Sequence, residues 1–158
     1  MTAVATRASK SAEDLAVTAS ATVIGILTIQ ARPEMVGAAR SFVAAVLGEA
    51  DPATDVAVLL ASEVVTNGVL HSNSRRAGGT VTITAVETGG RVRIEVADEG
   101  SERSIPEVKG HGCVSGGHGL LLVQTLAEQW GYLRDEFGTT VWFWLVRGRG
   151  YDSRDLPG

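Results

Sequence analysis

This sequence predicts an α+β two-layer sandwich, a mostly antiparallel sheet with helices on one face. Three observations carry that expectation. Two segments alternate with a period of two, Val81-Thr-Ile83-Thr-Ala85 and Val92-Arg-Ile94-Glu-Val96, and read as strands with one buried face. Gly89-Gly90 between them reads as a hairpin turn, which makes the pair antiparallel. Two consecutive segments of helical period precede the hairpin, so helices and strands are grouped and do not alternate.

The elements follow in chain order. Residues 1–20 open with small and polar residues and are expected to be disordered, ahead of one domain over 21–147 and a polar, frayed tail over 148–158. The apolar stretch Leu15–Ile29 follows Glu13 and Asp14 and is rich in threonine and β-branched residues. Val23–Ile29 therefore reads as a strand and not a secretory segment. Pro33 opens a helical pattern of Val36, Ala39, Val43, Val46 and Leu47 that ends near Gly48. Asp51-Pro52 pairs an N-cap residue with proline at the first helical position. The helix it starts runs to about His71, with Val56, Leu59, Leu60 and Val64 on its apolar side. After the hairpin, residues 99–117 show no period and end in the run GHGCVSGGHG. A helix starts near Gly119 with Leu120, Leu121, Val123, Leu126 and Ala127, and two strands flank a turn at Gly138. Alternation in the last strand places part of Trp142-Phe143-Trp144 in the core.

Composition bounds the function. The chain has 158 residues, enough for one domain with a sizeable core. Its net charge of −4 gives no bulk attraction to nucleic-acid phosphates or anionic membranes. Cys113 is the single cysteine, so no disulfide forms within the chain, as suits a reducing cytosol. No other stretch approaches the length of a membrane-spanning helix.

Four features carry chemistry. Glu63, Asn67 and His71 are spaced four apart and form one stripe on a helix. Such a stripe either faces water or builds a hard-cation and phosphate site, with an amide oxygen for Mg²⁺ and a carboxylate as base. Asp98 shares the parity of Val92, Ile94 and Val96, so it points toward the apolar face. It is either a turn aspartate or the acceptor for a purine's exocyclic amine. Gly116-Gly117-His118-Gly119-Leu120 directly precedes a helix. Free N–H groups at a helix start make such a run a phosphate cradle, or else it is a flexible loop. Gly138-Thr139-Thr140 enters the last strand, and its hydroxyls serve either a bound base or the strand edge. His111, Cys113 and His118 are zinc-type residues but lack a paired Cys-x-x-Cys and a clear fourth ligand.

In this order the four features resemble the GHKL superfamily of ATPases and kinases, and within it the anti-sigma-factor serine/threonine-protein kinases. The residues concerned are Glu63-Val-Val-Thr-Asn67, Val96-Ala-Asp98-Glu-Gly100, Gly117-His-Gly119-Leu120 and Gly138-Thr-Thr140, and the similarity spans about residues 23–146. The resemblance implies an ATP site. Asn67 would hold Mg²⁺ at the phosphates, and Glu63 would be the catalytic base. Asp98 would read adenine, with Gly100 beside the base. Residues 101–116 would form a lid, and Gly117, His118, Gly119 and Leu120 would meet the phosphates. His71 and Thr140 complete the implied nucleotide-binding set, Thr140 as a hydroxyl near adenine. The implied function is a cytoplasmic anti-sigma factor that phosphorylates a serine on a STAS-type anti-anti-sigma partner, binds a sigma factor, and forms homodimers. Contact with nucleic acid or membrane is not implied.

The chain departs from the family pattern at three positions: Glu102 stands at a frequent second glycine, His118 lies inside the glycine pair, and Gly68 replaces the usual alanine. Two other functions fit the same residues. One is an ATP-responsive module that binds a sigma factor or another partner without kinase activity, which labelled ATP and a candidate acceptor would separate from a kinase. The other is a histidine-kinase catalytic domain, which would need its acceptor histidine from another chain.

Overall fold

The computed structural model describes residues 4–6, 20–71, 78–99, 118–151 and 154. Six strands form one antiparallel sheet: β1 (Val4–Thr6), β2 (Thr22–Gln30), β3 (Thr80–Thr88), β4 (Arg91–Asp98), β5 (Gln129–Asp135) and β6 (Gly138–Val146). Their spatial order is β1-β5-β6-β4-β3-β2. A 3₁₀ turn, Pro33–Met35, leads into α1 (Val36–Leu47), followed by α2 (Thr54–His71) and, after β4, α3 (His118–Leu126).

The α+β layering expected from the sequence is what forms. Val81, Ile83 and Ala85 of β3, Val92, Ile94 and Val96 of β4, and Val141, Phe143 and Leu145 of β6 are buried on one face. They form one core with Ala39, Val43 and Leu47 of α1, Leu60, Val64 and Val65 of α2, and Val123 of α3. The alternate residues of β3, β4 and β6 face the other way, since antiparallel partners such as Ala97 and Thr140 share a face.

Local chemistry explains the joints. Gly89 and Gly90 have φ of 54° and 75°, the pair of positive values that a two-residue hairpin loop of the primed type needs. Proline at the start of Pro33–Met35 suits a helical first turn, where its missing N–H leaves no bond unmade. Asp51 caps, but not as the residue directly before a helix. Its Oδ1 accepts from Ala53 N at 2.9 Å, and α2 begins after that turn, at Thr54.

Two expectations change, and the alternation expected of the aromatic run is what forms. Val4–Thr6, inside the segment read as disordered, pairs with Tyr132–Arg134 of β5 as an edge strand. The first residues of the tail are tied down: Gly148 N donates to Asp51 Oδ1 at 3.0 Å, and Tyr151 packs on the core. The aromatic run divides. Phe143 is fully buried in the core, whereas Trp142 and Trp144 lie on the opposite face with the Arg93 guanidinium 4.7 and 5.8 Å from their rings. Gly131, beside Trp142, makes room for the flat indole, since a Cβ there would lie 2.6 Å from its Cζ2. Burial pulls the Arg93 pKa down, and the Glu95 carboxylate, 2.8 Å away, opposes that. Among the described residues no helix is long and apolar enough to cross a membrane.

Candidate functional site

The site is organised around the last residue of β4. Asp98 continues the parity of Val92, Ile94 and Val96 and turns its side chain to the helix side of the sheet. There it meets α2 where that helix carries glycine. A Cβ added at Gly68 would lie 3.2 Å from Asp98 Oδ2, 3.5 Å from Asp98 Cβ and 3.6 Å from Val81 Cγ2. The carboxylate is therefore held against the helix backbone, half-buried, one residue from Asn67.

Glu63 and Asn67 lie on α2 and are both half-buried. Neither is the fully wet side chain of a solvent stripe. The helix is apolar around them: Leu60, Val64, Val65 and Val69 are buried, which fixes the helix's rotation. His71 is the last residue of α2.

The neighbouring strand corrects one sequence expectation. Asp98 pairs directly with Thr139, and Thr140 pairs with Ala97. Thr139 thus shares the helix-side face with Asp98 and is buried, while Thr140 points to the opposite face. Thr139, not Thr140, is the hydroxyl on the carboxylate's face. The alternation Val141, Phe143, Leu145 already carried this signal, because counting back by two reaches 139.

Gly138 explains how β6 comes so close. Its φ is 149°, and a Cβ there would overlap the Asp98 carbonyl oxygen. Gly138→Ala is expected to destabilise the fold by about 2 kcal/mol, from strain and from pushing β6 off β4. The measurement is the midpoint of urea unfolding, and an unchanged midpoint would refute the close approach.

The glycine-rich element is described only in part. His118 and Gly119 open α3, and Leu120 is buried in the core, so Leu120 anchors the helix and does not face a ligand with its side chain. α3 packs on α2. Gly100, Gly117, the expected lid over 101–116, and the zinc-type residues His111 and Cys113 lie outside the described residues. Asp98, Gly68 and Thr139 are what the fold brings together, and Asn67 is the residue before Gly68 on α2.

An inward carboxylate accepts N–H bonds, so this arrangement suits an amine-bearing ring. A sheet carrying helices on one face, with an inward carboxylate at a strand end packed against α2, suits a nucleotide-binding ATPase fold. The chain belongs to the family described as the histidine kinase-like ATPase domain, whose model matches residues 29–145. It is also similar to the anti-sigma F factor of Geobacillus stearothermophilus, with 35% identity over 86 residues. That match covers 52% of this chain and 58% of the relative, so the chain spans little more than half of that protein's length.

Proposed function

We propose that this chain is an ATP-binding anti-sigma factor that transfers the γ-phosphoryl group of ATP to a serine on an anti-anti-sigma partner. The observation that carries it is the Asp98 carboxylate packed against Gly68, the residue that follows Asn67 on α2, with Glu63 one helical turn before Asn67. The similarity to a protein named anti-sigma F factor supports the regulatory side.

Each residue has a distinct task. Asp98 accepts from the exocyclic amine of adenine and so chooses the base. Asn67 offers a neutral oxygen at the phosphate end, the type of ligand that suits Mg²⁺ with its remaining waters and phosphate oxygens. Bound there, Mg²⁺ supplies charge neutralisation for the phosphates. Glu63 takes the proton from the serine hydroxyl as that oxygen bonds to the γ-phosphorus. The bond from the γ-phosphorus to the bridging oxygen breaks, and the electron pair leaves with ADP. The same function names a STAS-type acceptor protein, a sequestered sigma factor, a homodimer and the cytoplasm as its setting.

Nucleotide binding by titration calorimetry, with and without Mg²⁺, tests the base of this proposal. Wild type is expected to bind ATP and ADP. Asp98→Asn should lose roughly 10- to 100-fold in affinity, the worth of a hydrogen bond to a charged group. If wild type binds neither nucleotide, the proposed function is wrong. Labelled ATP with a purified anti-anti-sigma protein then tests transfer, with phosphoserine as the expected product.

A further inference from the structure

We propose that the sheet face turned away from the helices is an intramolecular docking surface for residues 7–19 of the same chain. The surface is the strip of Trp142, Trp144 and Arg93 across the middle of the sheet, and it is independent of the nucleotide site. Burial is the first support. α1, α2 and α3 all pack on the other face. A bare sheet leaves the outer side of an indole to water, yet Trp144 is 8% exposed. Both flanks of the same face are open. By register, Val23 and Ile26 of β2 and Leu133 of β5 share that face, and they are 55%, 63% and 37% exposed. What shields Trp144 therefore acts over the middle strands only, a width that suits one segment of chain and not a second sheet.

Topology is the second support. Thr6 pairs with Tyr132 at the β5 edge, and Ser20 Oγ lies 3.1 Å from Thr88 Oγ1 at the end of β3. β5, β6 and β4 stand between these two points. Four strand spacings of ~4.8 Å separate β1 from β3, about 19 Å in all. The register puts Trp142, Trp144 and Arg93 on the outward face between Thr6 and Ser20. Residues 7–19 make this connection and lie outside the described residues. Their length matches the span, since a helix of that many residues reaches about 20 Å. Their sequence matches the surface. Ala8, Ala12, Leu15 and Ala19 recur at helical spacing, with Lys10, Glu13 and Asp14 on the opposite side. A shallow apolar stripe of alanines with one leucine complements two flat indoles and leaves the charges to water. Docked there, the segment closes the centre of this face to a second copy or another protein.

The test places a nitroxide on the polar side of the segment, at Glu13→Cys in a Cys113→Ser background of the full chain. The readout is the NMR signal of each tryptophan indole N–H in isotopically enriched protein. Trp142 and Trp144 are expected to lose most of their intensity. Trp130, which pairs with Phe143 and packs on the core from the helix side, should keep most of its own. Sharp signals for all three tryptophans overturn the proposal. Mixing labelled, unenriched chain with enriched, unlabelled chain separates the occupants. No broadening is expected there, and broadening would mean that a second copy fills the face, which also overturns the proposal. Adding Leu15→Glu to the labelled chain should restore the Trp142 and Trp144 signals, and their continued loss overturns the apolar contact. Should Glu13→Cys not fold by circular dichroism, Lys10→Cys carries the label with the same outcomes.

Discussion

Replacing Glu63 by alanine is expected to leave ATP bound and to slow phosphoryl transfer to a serine by about 10²- to 10⁴-fold, the usual contribution of a positioned base. The two halves of this outcome separate because of where the residues sit. In the proposed function the adenine contact depends on Asp98, which packs at Gly68. Glu63 is one turn earlier on α2, half-buried on a helix held by Leu60 and Val64 beside it. Truncation there removes a carboxylate without removing a core side chain, so the fold and the base contact should persist. Calorimetry for ATP and single-turnover transfer from labelled ATP are the paired measurements. Transfer at the wild-type rate would remove Glu63 from the mechanism. Absence of transfer in wild type, with ATP bound normally, would leave an ATP-responsive binding module.

The second large effect concerns the latch that joins the end of β6 to the turn between α1 and α2. Asp51→Ala is expected to lower stability by about 3 kcal/mol, and so to lower the melting temperature by roughly 6–12 °C. Asp51 Oδ1 accepts from Ala53 N at 2.9 Å and from Gly148 N at 3.0 Å. Its Oδ2 accepts from Arg147 Nε at 2.8 Å. Arg147 Nη2 donates to the Leu47 carbonyl at 2.8 Å, and Nη1 lies 3.1 Å from Glu87 Oε1. The side chains of Asp51 and Arg147 are 10% and 23% exposed, so water screens the Coulomb attraction in part. Most of the loss therefore comes from the two backbone donors and from Arg147 Nε, which loses its acceptor while Nη1 and Nη2 keep theirs. By contrast, Arg91–Glu128 at 3.0 Å is 37% and 30% exposed, and Glu128→Ala should cost under about 0.5 kcal/mol.

This latch also sets a pH dependence. Burial alone would raise the Asp51 pKa, but the Ala53 and Gly148 N–H groups and Arg147 outweigh it and hold it below its ordinary value. The unfolded chain then takes up the proton more readily than the folded one. The carboxylate's contribution is complete above its unfolded pKa of about 3.9 and is lost as pH falls through the lower folded value. Wild type and Asp51→Ala should differ fully at neutral pH and begin to converge in stability only as the pH falls below about 4. Arg147, raised chiefly by its hydrogen bond to Asp51, stays charged throughout this range.

Much of the architecture is legible locally, because its causes are local. The period of two in residues 81–96, the glycine pair with positive φ and the proline-started turn each act within a few residues. They set the elements and their order before any packing. The four-residue spacing of Glu63 and Asn67 likewise settles that both share one side of α2.

What long-range packing decided is which of those residues meet. Asp98 reaches Gly68 across a stretch that includes the whole β3–β4 hairpin, and Asp51 reaches Arg147 across 96 positions. No periodicity encodes such contacts. Thr139 and Thr140 are adjacent and chemically identical in the sequence, and only the register of β6 against β4 puts the first beside Asp98 and the second on the far face. The same register sends Phe143 into the core and Trp142 and Trp144 away from it. The physical reason is the pleat: a displacement of one residue reverses every side chain, so the chemistry at the end of a strand depends on pairing that local sequence does not specify.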